Sequence, residues 1–72
     1  MMTKIEEYLF RRIFDVVTIP SELNRIAAEE EKKGQQVKRG VGGSVIVELT
    51  DGEVHFIPSG RGIECIIYRK NN

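Results

Sequence analysis

One dipeptide, Asp51-Gly52, constrains this chain more than any other feature. It stands between two β-favouring runs, SVIVELT (44–50) and EVHFIP (53–58). A two-residue type I′ hairpin turn needs positive φ at both central positions, and Asp-Gly is among the few pairs that supply it. The spacing therefore predicts a hairpin that turns on these two residues. In that register Leu49 opposes Val54, Val47 opposes Phe56 and Val45 opposes Pro58 on one face. The other face sets Glu48 against His55 and Ile46 against Ile57. A second turn signal, SGRG (59–62), leads into IECIIYRK (63–70), a third strand. That strand is apolar on both sides, with Ile63, Cys65 and Ile67 on one and Ile66 and Tyr68 on the other.

The first half of the chain carries a different period. Ile5, Leu9, Ile13 and Val16 recur at helical spacing. Thr3 and Glu6 fit a capping box, and Glu7 with Arg11 forms an i,i+4 pair in the favourable order. These features predict a first helix from Thr3 to about residue 16. The β-branched run Val16-Val17-Thr18-Ile19 competes as a strand; the spacing favours a helix that frays there. Pro20 breaks the pattern and Ser21 is a good N-cap, so a second helix is expected over Glu22–Lys33, with Gly34 closing it. Leu23, Ile26 and Ala27 form its apolar stripe. Residues 35–43 read as a polar, Gly-rich connection. The expected fold is a single α+β domain over residues 1–72, with two N-terminal helices followed by a three-stranded antiparallel β-meander.

A chain of 72 residues buries only about 60–65% of the surface its unfolded form exposes. Its one cysteine, Cys65, cannot form an internal disulfide. Small domains without such staples often gain stability by self-association. Two helices of this size do not cover both faces of the sheet, so Ile46, Ile57, Ile66 and Tyr68 form a surplus apolar stripe, and Phe10 and Phe14 a spare aromatic face on the first helix. An exposed patch of this kind marks an interface. These six residues are the candidate partner or dimer surface, and a homodimer is expected.

Charge supplies two further candidates. Eleven cations balance eleven anions, unlike a domain that coats nucleic acid. The distribution is uneven: residues 1–31 hold four cations and seven anions, and residues 32–72 hold seven and four. Glu22, Glu29, Glu30 and Glu31 are a candidate acidic docking ridge for a basic protein surface. Lys38, Arg39, Arg61, Arg69 and Lys70 are the candidate contacts to a nucleic-acid backbone.

Chemistry has little support. In KRGVGGS (38–44) the cations precede the glycines and the segment runs into a strand, whereas a phosphate-binding loop leads into a helix N-terminus. The glycines are expected to serve as a joint. His55 is the only histidine, and without a cysteine cluster it makes no usual structural zinc site. Its expected partner is Glu48, and a third catalytic member would have to come from Ser44, Ser59 or Cys65, none marked by a motif. Cys65, mid-strand, is expected to be a small core residue. No catalytic residue, metal or cofactor is expected. No signal segment opens the sequence and no apolar run reaches the ~20 residues of a membrane helix, so the expected place is the cytoplasm, away from membranes. The expected function is a small, non-enzymatic, protein-binding modulator of an unidentified protein partner. By analogy of design it fits the regulators and inhibitors of larger host proteins that phages and mobile elements encode. The alternative is a nucleic-acid-binding regulator that uses the basic loop and third strand.

Overall fold

The computed structural model describes residues 1–71. The chain forms β1 (Met2–Arg12), α1 (Ile19–Lys32), β2 (Gln36–Arg39), β3 (Val45–Leu49), β4 (Gly52–Ser59) and β5 (Gly62–Lys70). The five strands make one sheet in the order β1-β5-β4-β3-β2, and every neighbouring pair is antiparallel. The expected two helices and three-stranded meander are thus corrected to one helix on a five-stranded sheet.

The first predicted helix is a strand. The register of β1 on β5 is irregular at two places, between Lys4 and Glu6 and between Leu9 and Arg11. Each irregularity, at Ile5 and at Phe10, inserts one residue into the alternation. Two bulges five residues apart erase the period of two, and the apolar residues left behind mimic the spacing of a helix. What decides the outcome is β5. It is apolar on both sides, and without β1 it would be a bare edge.

The segment Val16–Thr18 is neither strand nor frayed helix but a 3₁₀ turn. Asp15 caps it, with Oδ1 accepting from the Val17 amide at 3.2 Å. The turn feeds straight into α1, which begins at Ile19 with Pro20 in its first turn, so Ser21 lies inside the helix. The far end is as expected: Lys33 is the C-cap and Gly34 follows at φ 87°.

α1 carries the chain across one face of the sheet, from the β1 edge to the β2 edge. Ile19, Leu23, Ile26 and Ala27 pack on Val45, Val47, Phe56, Ile63 and Cys65 to form the core. Burying these groups at ~25 cal/mol per Å² is the main term holding the layers together. The Cα envelope measures 41 × 24 × 17 Å, thin enough for one sheet and one helix layer.

The hairpin turn also moves. Leu49 pairs with Gly52, so the turn residues are Thr50 and Asp51. Val45 then opposes Phe56, Ile46 opposes His55 and Val47 opposes Val54. The expected partners shift by two residues, which leaves every side chain on its expected face. Gly52 serves closeness rather than φ: it is buried at the start of β4, and a Cβ there would strike the Tyr68 carbonyl. The β4–β5 turn and β5 fall where expected, with Ser59 paired to Gly62.

The connection over 35–43, expected to be free of pairing, contains β2, which pairs with β3 and sets Lys38 opposite Ile46 and Arg39 opposite Val45. Beyond it the chain closes a tight loop. Gly40 N donates to Ser44 O at 2.9 Å, and Gly42 and Gly43 take φ of 69° and 81°.

Candidate interaction surfaces

Cross-strand pairing fixes which side chains share a face. On the side away from α1, Ile46, His55 and Ile66 form one row across β3, β4 and β5, ending at Glu7 on β1. Ile57, Glu64 and Leu9 form the next row. Glu48, Glu53, Tyr68 and Lys4 form the row on the other side. Ile46, Ile57, Ile66 and Tyr68, drawn from three strands, therefore do meet on one surface. No helix among the described residues lies on that face. Ile66 is only 8% exposed although α1 does not cover it.

Phe10 and Phe14 lie elsewhere. The Phe10 ring meets Phe56 edge-on at 5.0 Å, which places it on the α1 side of the sheet. Phe14 is 88% exposed, beyond the end of β1, with Arg12 over its ring at 5.8 Å. The six apolar candidates thus divide into an open-face group of four and an aromatic pair at the β1 side.

His55 sits inside the open face. Its Nε2 is 2.8 Å from Glu53 Oε1 and its ring is 4.7 Å from the Tyr68 ring. The expected partner, Glu48, is instead held by Lys38 Nζ at 2.8 Å, because the register places Ile46 rather than Glu48 opposite the histidine. Ser44 is buried in the β2–β3 loop, with its hydroxyl against Gly40. Ser59 folds back on its own turn, accepting from the Arg61 amide at 3.3 Å. The structure therefore does not gather His55, Glu48 and a hydroxyl into one group. Cys65 is buried in the core as expected, and burial pushes its thiol above the usual range. Among the described residues no group of three or more His, Cys, Asp or Glu side chains is placed to hold a metal ion. No helix among them is long and apolar enough to cross a membrane.

The basic set is scattered. Arg39 is a structural clamp: Nη2 donates to Gly43 O at 2.8 Å, Nε to Ser44 O at 3.3 Å, and Nη1 to Asn24 Oδ1 on α1 at 3.0 Å. A guanidinium suits this task because its planar fork reaches three acceptors at fixed angles. Lys38 is engaged by Glu48, whose hydrogen bond and charge raise the lysine pKa. Arg61, in the turn before β5, and Arg69, near the far end of β5, are about 26 Å apart at strand rise. Lys70 joins Arg69 at the far end.

The acidic set is also divided. At about 100° per residue, Glu29 lies within about 20° of Glu22 around α1, whereas Glu31 lies about 180° away. Glu22 pairs with Arg11 of β1 and Glu30 with Lys33, the latter at 2.9 Å. Glu22 thus ties the helix to the edge strand, and the four carboxylates do not stand in one ridge.

Reasoning from sequence missed the outer edge of β1. Among the described residues this strand is paired on its β5 side alone, and Tyr8 and Phe10 are 42% and 38% exposed along it. The usable signal was EEYLFRR (6–12), a charge order that a helical reading conceals. Comparison with protein-family models, with curated proteins and with solved structures gives no match for the chain.

Proposed function

We propose that this chain is a non-enzymatic modulator that acts as a homodimer and docks another protein on the uncovered face of its sheet. One observation supports the reading above the others. A single helix covers one side of a five-stranded sheet, while the opposite side carries Ile46, Ile57, Ile66 and Tyr68 in adjoining rows. An antiparallel sheet with one solvated face is ordinarily polar there; here apolar side chains alternate with His55 and Glu64 and are flanked by Lys38, Glu48 and Glu53, a mixed apolar and polar surface of the kind that docks a partner. Nucleic-acid binding gains nothing from the geometry, since two of its five cations already serve internal partners.

The test is affinity capture on the immobilised chain, with nuclease present, beside Ile46→Lys and Ile57→Lys chains shown by circular dichroism to be folded. The reading expects defined proteins held by the parent chain and lost from both variants. Capture that disappears with nuclease and survives both substitutions would favour the nucleic-acid reading instead.

A further inference from the structure

We infer that the homodimer forms edge to edge through β1, antiparallel about a two-fold axis at Leu9, so that two five-stranded sheets become one of ten strands. This rests on the reading above that the chain self-associates, and it adds the surface and the register.

The two edges of the sheet are unlike. β2 has four residues and is flanked by α1 and the Arg39 clamp. β1 has eleven, and its outer backbone groups face no other chain segment among the described residues. A long unpaired edge is a template for a further strand, which proteins deter with bulges and charges. β1 carries both devices. Its charges, however, are ordered rather than scattered. From Glu6 to Arg12 the strand runs two anions, three apolar residues, two cations. Reversed about Leu9, that order is its own complement.

The faces agree with this pairing. Glu7 pairs with Ile66 and Arg12 with Gly62 on β5, so both lie on the open side. Tyr8 pairs with Cys65 and Phe10 packs on Phe56, so both lie on the α1 side. The bulge makes Phe10 and Arg11 count as one position. An antiparallel copy with Leu9 against Leu9 then sets Tyr8 beside Phe10 of the second copy on the α1 side. It sets Glu7 beside Arg12 of the second copy on the open side. Both matches occur twice by symmetry, as in any isologous interface. A parallel mate in register would put Glu7 by Glu7 and Arg12 by Arg12, which is repulsive.

The groups concerned are available. Arg12 contacts the Phe14 ring and no carboxylate among the described ion pairs. Glu7 holds only Lys4, at 2.7 Å, in a pair about half exposed on both sides. Leu9 is half-buried at the end of the row that begins at Ile57. The mating continues that row into the second copy, so the two open faces join into one platform.

Light scattering over a concentration series, with variants checked for fold by circular dichroism, tests the register. Glu7→Arg and Arg12→Glu are each expected to weaken self-association about tenfold or more. An equimolar mixture of the Glu7→Arg chain with the Arg12→Glu chain is expected to dimerise again, because every close pair is then of opposite sign. Leu9→Cys is expected to give a covalent dimer on mild oxidation, since directly opposed residues lie within disulfide reach; Thr50→Cys, at the far turn, is not. A parent chain that is monomeric at every concentration overturns this inference together with the homodimer. A dimer that ignores both charge reversals, or that Ile57→Lys dissociates while Leu9→Cys fails to cross-link, overturns the β1 register and leaves the homodimer standing.

Discussion

Gly62 shows how much a single position decides here. Its φ of 142° lies in the region L side chains avoid, and a Cβ would strike the Arg11 carbonyl, where β1 meets β5. Gly62→Ala is expected to cost about 2 kcal/mol or more, read as a lower urea midpoint with unchanged slope. Tyr8 makes the second case. The neighbouring Cys65 thiol, and then partial burial, push its hydroxyl from 10.0 up to about 12. A phenol whose folded pKa lies above its unfolded one adds stability that is complete below pH 10 and is lost as the pH rises through about 12. Ultraviolet titration of the two tyrosines should therefore show one ionising late. Tyr8→Phe should remove that late step, and Cys65→Ala should move it down toward the ordinary range. A titration in which Tyr8→Phe removes no late step would refute the arrangement.

Elements were legible where local pattern and tertiary demand agree. β5, its faces and the end of α1 at Gly34 follow from residues such as Ile63, Cys65 and Gly34, because the same spacing serves both the strand or helix and its packing. β1 was not legible, because bulges at Ile5 and Phe10 hide a strand whose reason for existing lies some sixty residues away in β5. β2 was hidden for a related reason: Gln36–Arg39 carries one apolar residue, Val37, and pairs only because β3 offers it an edge. The Asp-Gly signal located a hairpin but not its register, since the close approach to Tyr68 outweighs the preferred turn. Of the candidate site, the four open-face residues were legible from alternation alone, whereas the roles of Lys38 and Arg39 depend on partners that no spacing reveals. α1 offers the test at this scale. Leu23 is 1% exposed at the centre of the core between α1 and the sheet, so Leu23→Ala should cost about 2–5 kcal/mol. Asp15→Ala, which removes the cap on the turn before α1, should cost about 1 kcal/mol. Thermal or urea unfolding of the pair should rank them in that order; a larger loss at Asp15 would mean that the helix entry, not the core, limits the fold.

The whole molecule is a two-layer body whose second sheet face is unmatched, and that asymmetry is open to a direct comparison. Ile46 and Val47 are adjacent on β3, and successive strand residues point to opposite faces. Val47 is 3% exposed beneath α1, while Ile46 is half-buried on the open side. Total stability for a chain of this length is on the order of 4–11 kcal/mol. Placing a lysine under the helix leaves an ammonium without water or a partner, at a cost of about 4 kcal/mol or more. Val47→Lys is therefore expected to leave the chain largely unfolded. Ile46→Lys keeps its charge at the solvent and is expected within about 1 kcal/mol of the parent. Urea denaturation of both variants reads the difference. If the two cost the same, the sheet is covered on both sides in solution, and whatever covers the second side is already part of the folded state. A tolerant Ile46 would instead mean that this face has room for a partner, and the same Ile46→Lys chain, being folded, becomes the control that shows whether the partner uses it.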